Sequence, residues 1–335
     1  MNHNNIFVSI ASYRDDECIN TIHSLYKNAK NPSSIFIGIC QQNNYNIDKD
    51  SFYNLLDFYK NNYKNNIRII RLPFYDAKGP YYARYLCSSL LDFNNEKYFF
   101  QIDSHTSFIK NWDEILINMY NEIIDLGLSK KPIISYYPKD IIYQYNEDIK
   151  YIHKVPVFNG VIWKNDKKVF ILKPAVYKNT NNTYINTPFS AAGMIFSSSS
   201  LIKDVPFNSS LINLFDGEEI YNSIRFYLND YDIFIPKFNI IFHEYNRNNK
   251  PKFWDEPLCK FNDTNATSYI TKFLFNFHNN NSFSSKNRTL KDFYKFANIN
   301  IYYYYFYSFL FYIIFFIIFI LFIIIYFILN NNNNN

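Results

Sequence analysis

Apolar runs of strand length alternate with amphipathic stretches through the first 140 residues, and this rhythm constrains the fold more than any other feature. Ile6–Tyr13, Ser34–Gln41, Ile67–Phe74, Tyr98–Asp103 and Pro132–Tyr137 read as strands. Thr21–Lys30, Leu55–Tyr63 and a segment opened by Gly79-Pro80 and running to about Asp92 read as helices. Such alternation implies parallel βαβ units. Ile35–Ile39 is apolar without a polar break, which suits a sheet covered on both faces. The expected class is α/β, with a Rossmann-like, mostly parallel sheet flanked by helices. The second half is less regular. Val155–Ile171 suggests a hairpin, Ser190–Ser197 is rich in small residues, Asp216–Leu228 reads as a helix, and Ile233–His243 as one or two strands. Asn262–Ser285 is polar and reads as a loop.

Ile301–Leu329 contains no charged residue. About 20 apolar residues at ~1.5 Å rise cross a ~30 Å hydrocarbon layer, so the run is expected to be a transmembrane helix. Tyr302–Tyr305 would lie at headgroup level. The expected organisation is a globular domain over 1–285, a basic juxtamembrane linker over 286–300, the span over 301–329 and an Asn tail over 330–335. Lys286, Arg288, Lys291 and Lys295 precede the span, and a positive flank stays cytoplasmic. The expectation is therefore a single-pass C-terminal anchor with a cytosolic domain; a Golgi-lumenal domain is the alternative. Ile6–Ile10 is too short for the apolar core of a signal peptide.

A net charge of +5 is spread without a Lys/Arg stripe, which excludes the clustered basic face of a nucleic-acid binder. Cys18, Cys40, Cys87 and Cys259 are far apart and form no CxxC pair. They read as reduced, buried thiols rather than a disulfide framework.

Chemistry concentrates at strand ends. Tyr98-Phe-Phe-Gln-Ile-Asp103-Ser-His105 ends an apolar strand in Asp-x-His. Residues two apart in extended chain point the same way, so Asp103 and His105 can share an ion at the sheet edge where open α/β folds bind ligands. A carboxylate with an imidazole suits Mn²⁺ or a similar divalent ion. An Asp at this place equally serves as an N-cap. His243 ends a later strand, as a third ligand or a surface imidazole, and Arg247 can hold phosphate by a bidentate fork. Asp216-Gly-Glu218-Glu219 places three carboxylates at a helix start, where they also complement the helix dipole.

Taken in order, the blocks IFVSIASYRDDEC, NPSSIFIGICQQ, IRIIRLPFYDAKGPYYARYL, YFFQIDSHTSFIKNWDE, TPFSAAGMIF, FDGEEI and FHEYNR followed by KPKFW cover residues 6 to about 256. They resemble the GlcNAc-transferase family of the Skp1 hydroxyproline GlcNAc-transferase and the related protozoan mucin-type enzymes. The resemblance implies a GT-A-like fold, a UDP-GlcNAc donor, a divalent metal (Mn²⁺ preferred, Mg²⁺ the alternative) and retention at the anomeric carbon. It implies Asp103, His105 and His243 as metal ligands. Ser9, Ala11, Ser12, Tyr13 and Arg14 would line the uridine pocket, with Arg84, Asp103 and Arg247 on the donor. Ala192 and Gly193 would approach the transferred sugar, and Glu218 or Glu219, with Asp216, would act at the reacting centre. Trp112 and Trp254 are expected as packing or subsite aromatics. Ser107 stands where family members often carry a basic residue, and Asn246 where many have Gly. The implied acceptor is a protein hydroxyl: hydroxyproline of a Skp1-like protein for a cytosolic domain, Ser/Thr of a mucin-like protein for a lumenal one. An inactive, anchored sugar- or protein-binding module is the reading from a different class.

Overall fold

The computed structural model describes residues 4–48, 66–144, 153–247, 250–259, 261–275, 288–301, 316–321 and 323. Fifteen strands follow in chain order: β1 (Ile6–Tyr13), β2 (Ile35–Asn43), β3 (Ile67–Pro73), β4 (Tyr98–Asp103), β5 (Thr106–Phe108), β6 (Pro132–Ile134), β7 (Lys139–Asp140), β8 (Lys154–Val157), β9 (Val161–Lys164), β10 (Val169–Leu172), β11 (Val176–Asn179), β12 (Ile185–Thr187), β13 (Met194–Ser198), β14 (Asp232–Ile235) and β15 (Ile241–His243). The described helices are α1 (Cys18–Asn28), α2 (Pro80–Ser88), α3 (Trp112–Asp125), α4 (Ser200–Asp204), α5 (Glu218–Leu228), α6 (Thr264–Phe275) and α7 (Leu290–Phe296).

The central sheet has the order β12-β14-β6-β13-β4-β1-β2-β3. Neighbours are parallel except where β13 runs against β4 and β6, and β12 against β14. The mostly parallel, helix-flanked sheet expected from the sequence is present. Its central strands β1, β2 and β4 are buried on both faces, and side-chain alternation divides each between two cores. Ile6, Val8 and Ile10 of β1 and Tyr98, Phe100 and Ile102 of β4 face α1 and α3. Phe7 and Phe99 point the other way, to Leu91 and Ile202. A separate small sheet, β5-β15-β7, stands beyond the carboxyl end of β4. Residues 154–179 form two nested antiparallel pairs, β9 with β10 inside β8 with β11, where a hairpin was expected.

Helix α3 was not foreseen; its Trp112 is buried and donates its indole N–H to the Leu25 carbonyl at 2.9 Å. Two expected irregular segments are helical. Ala266, Ile270, Phe273 and Leu274 put one face of α6 into the second core, and Leu290, Phe293, Tyr294 and Ala297 do the same for α7, at the spacing of an amphipathic helix. A Thr289–Asp292 capping box starts α7, and Arg288 pairs with Asp232 at 2.7 Å. The linker expected over 286–300 is thus, from 290, part of the domain, and the core extends to Ile301, which is buried. The helix expected over Leu55–Tyr63 lies outside the described residues, as does most of the span expected over 301–329. Residues 316–321 are helical and exposed; among the described residues no helix is long and apolar enough to cross a membrane.

Burial of an apolar side chain contributes ~1.5–3 kcal/mol. A chain ending at Lys286 is therefore expected to be less stable than one ending at Ile301 by roughly 5 kcal/mol or more, measured by urea unfolding of the pair. Equal midpoints would show that α7 contributes nothing to the core.

Candidate active site

The carboxyl edge of the sheet carries a cavity of about 590 Å³. Its wall takes Ala11 and Tyr13 from the end of β1, Gln42 from β2, Asp103 from β4, Gly193 just before β13, and Glu218 and Glu219 from the first turn of α5.

The register explains how distant residues meet here. In β1 and β4, Ala11 stands opposite Asp103. After Asp103 the chain turns through Ser104 and His105 into β5, which pairs antiparallel with β15 so that Thr106 faces His243. Thr21 of α1 fixes the turn, donating to the Ser104 carbonyl and accepting from the Thr106 amide, both at 2.8 Å. The His105 and His243 rings meet edge to face at 4.5 Å. One ligand atom each from Asp103, His105 and His243 lies within 4.8 Å of the others. His243 Nε2 is 3.1 Å from Asp103 Oδ2, and His243 Nδ1 is buried with no hydrogen-bond partner among the described residues. One carboxylate and two imidazoles facing an open cavity fit a divalent ion that keeps exchangeable positions.

Asp103 is held from three sides. Arg84 Nη2 donates to Oδ1 at 3.0 Å, and His243 meets Oδ2. Gly193 passes so close that a Cβ there would lie 2.5 Å from Oδ2. A side chain at 193 would press on the Asp103 carboxylate and force it to shift; Gly193 also lines the cavity, where a sugar was expected to approach it. Burial opposes ionisation of Asp103, but the hydrogen bond from His243 and the Arg84 charge outweigh it and hold the carboxyl well below the usual range.

Arg84 is buried and also donates through Nη1 to both oxygens of Glu218, at 2.7 and 2.6 Å. Glu218 and Glu219 follow Gly217, whose φ of 90° is accessible mainly to glycine. Burial pushes the Glu218 carboxyl up against the pull of Arg84. Glu219 accepts from the Tyr137 hydroxyl at 2.7 Å and the Ala192 amide at 3.0 Å. Burial still raises its carboxyl to about 7, against those two bonds.

Other expected residues are placed differently. Ser9 and Ser12 are buried within the sheet, away from the cavity wall. Arg14 is turned to Asp48, at 3.0 Å, and Glu256, at 3.4 Å, and does not line the cavity. Asp216 lines it but is held by Lys164 and Lys167 at 2.9 and 2.8 Å, so it ties the β9–β10 hairpin to α5. Ser107 donates to Gln144 at 2.8 Å. Trp254 sits at the cavity mouth, 42% exposed, against Phe215 with centroids 4.7 Å apart. Arg247 lines the cavity, and its Nε lacks a hydrogen-bond partner among the described residues. Sequence reasoning missed Tyr137 and Asp15. Asp15 lies one residue past the stretch expected at the end of β1 and bonds His105; the acidic pair after a strand end was the available signal.

The profile of the Glycosyltransferase (GlcNAc) family matches residues 5–57 and 46–297, well over half of the chain. The chain belongs to this family. Among solved structures it is similar to GalNAc-T7, determined with UDP, GalNAc and Mn²⁺, with TM-score 0.55 and 14% identity over 89% of this chain and 55% of that one. It thus spans little more than half of the GalNAc-T7 chain. A looser likeness, TM-score 0.44 and 12% identity over 84% of this chain and 74% of the other, is to S. aureus TarS 1–349 in complex with UDP-GlcNAc. No functionally curated protein matches the chain. The family member has the mixed α/β, GT-A-like fold of glycosyltransferases.

Two outcomes follow from this geometry. Gly193→Ala is expected to displace Asp103 and weaken Mn²⁺ binding at least 10-fold while leaving the far-ultraviolet circular dichroism unchanged; wild-type affinity would show that the close approach is not limiting. Glu219 has a raised folded-state value, so its contribution to stability is fully present below about pH 4.5 and is lost as pH rises through about 7. Glu219→Gln is expected to gain stability relative to wild type across that window, on the order of 3 kcal/mol, read from urea midpoints at stepped pH. A constant difference would place the carboxyl at its ordinary value.

Proposed function

We propose that the chain is a metal-dependent, retaining glycosyltransferase that moves GlcNAc from UDP-GlcNAc to a protein hydroxyl. The observation that carries the reading is the convergence of Asp103, His105 and His243 beside the under-bonded guanidinium of Arg247, in a cavity walled by Glu218 and Glu219. The family profile and the UDP, GalNAc and Mn²⁺ bound by GalNAc-T7 on a related fold support it. UDP-GalNAc is the competing donor.

Asp103, His105 and His243 would hold the divalent ion, Mn²⁺ or Mg²⁺. When bound, it supplies positive charge to offset the departing diphosphate. The protein's own groups do the rest. Arg247 offers N–H donors to phosphate oxygens. Ala11, Tyr13 and Gln42 wall the β1–β2 side of the cavity, where the base would lie. Arg84 pins Asp103 and Glu218 together, so the ligand carboxylate does not reorganise during transfer. Glu218 and Glu219 each have both oxygens held in hydrogen bonds within the fold, which disfavours either as a covalent nucleophile. This favours attack on the face the leaving group departs from, with the leaving phosphate accepting the acceptor proton, through an oxocarbenium-like transition state.

The acceptor reading, hydroxyproline of a Skp1-like protein reached from the cytosol, rests on the sequence blocks and on the basic flank of the charge-free C-terminal run. Membrane anchoring through that run belongs to the same proposal.

The test incubates the full chain with Mn²⁺ and UDP-GlcNAc or UDP-GalNAc, with hydroxyproline and Ser/Thr peptides. UDP release is expected with UDP-GlcNAc, with label on the hydroxyproline peptide, reduced roughly 100-fold or more by Asp103→Ala or His243→Ala. Label on Ser/Thr alone would select the mucin-type acceptor. No release with either donor from folded protein would leave an anchored binding module.

A further inference from the structure

Asp15 lies in the loop between β1 and α1, and its side chain has no solvent exposure. A buried carboxylate needs donors on its oxygens. Oδ1 accepts the Glu17 amide at 3.2 Å. Oδ2 accepts the Ser104 hydroxyl at 2.5 Å, and His105 Nδ1 is 2.8 Å away. Arg247 Nη2 approaches Oδ2 to 3.2 Å as an ion pair without hydrogen-bond alignment. Three segments thus meet on one oxygen: the end of β1, the turn after β4 and the stretch after β15. The Ser104 oxygen is also near His105 Nδ1, but at 3.4 Å and with its proton committed to Asp15.

An ionised carboxylate only accepts, so a 2.8 Å contact requires the hydrogen on His105 Nδ1. In a neutral ring the lone pair is then on Nε2. We propose that Asp15 is a positioning residue: it locks His105 in the Nδ1–H tautomer and so makes Nε2 the atom offered to a metal shared with Asp103 and His243. Outer carboxylates of this kind orient a histidine ligand and raise its basicity. The tautomer assignment stands on the Asp15–His105 contact alone. Its consequence for metal affinity rests on the proposed metal site.

The two layers separate in one experiment on the full chain. Histidines are labelled with ¹⁵N and the ring nitrogens observed by NMR without metal, near pH 8.5, about two units above an ordinary histidine pKa. His105→Gln identifies the His105 signals. The wild-type ring is expected as Nδ1–H. Asp15→Ala, and Asp15→Asn as the variant of unchanged shape, are expected to move the population toward Nε2–H. In parallel, free Mn²⁺ is titrated by electron paramagnetic resonance, with an expected 10–100-fold loss of affinity in both variants. An Nε2–H ring in wild type, or a tautomer unmoved in both variants, overturns the proposal, even where thermal stability falls. A tautomer that moves while Mn²⁺ affinity does not would uphold the role of Asp15 and remove His105 from the metal site. Absence of Mn²⁺ binding by wild type would sink the metal site and leave the tautomer result to decide.

Discussion

Arg84 is the constraint around which the cleft is arranged. It is a buried guanidinium on α2, and its charge is matched by Glu218 on α5 and Asp103 at the end of β4. Taking such charges out of water costs several kcal/mol per ion, and losing one partner leaves an uncompensated charge worth about 3–5 kcal/mol. The cluster therefore does not act as a cheap source of stability. It forces three elements, far apart in sequence, into one relative placement, because any other leaves a buried charge unpaired. Glu219, the next residue along α5, then falls between Tyr137 and the Ala192 amide. The first turn of α5 is thereby tied to the loops beside β6 and β13.

The sheet carries this placement to the candidate ligands. Parallel strands all end on one edge, so β1, β2, β4 and β6 deliver their following loops to the same place. The antiparallel β13 returns there with its first residues. Gln101, buried in β4, donates to the Ala192 carbonyl at 2.6 Å, which fixes the backbone passing over Asp103. The separate β5–β15 pairing delivers His243 across a sequence gap of 140 residues from Asp103. No local pattern around His243 could announce that pairing.

This is why the sequence was informative in some places and silent in others. The strands β1 and β4 were legible to the residue, because an unbroken apolar run bounded by polar residues has few alternatives in a two-sided sheet. Asp103 and His105 do come together, but through the turn at Ser104–His105 that Thr21 fixes rather than through the extended chain assumed from their spacing. Helices α6 and α7 were hidden because abundant Asn, Lys and Ser on their exposed faces masked an apolar stripe of three or four residues. Ser9, Ser12 and Arg14 lie off the cavity wall for three different reasons: Ser9 shares the face of Ala11 and Tyr13 but sits further from the strand end, Ser12 is on the opposite face, and Arg14 turns to Asp48. Asp15 was missed because its partner is a ring nitrogen in the turn after β4, not a neighbour in the chain.

Asp103 shows what the arrangement accomplishes chemically. A carboxylate at the end of a strand ordinarily samples several orientations. Here one oxygen is claimed by Arg84, the other faces His243, and the missing side chain at Gly193 leaves a slot that the carboxylate fills. Each restraint comes from a different element, so no single local motion releases the group. A site held within about 0.5 Å by its surroundings loses little when charge develops inside it. The glycine belongs to that restraint as much as the arginine does. Adding one carbon at 193 would push the carboxylate from the position that both Arg84 and His243 address, and the ion pair that organises the cleft would be strained together with the candidate metal site.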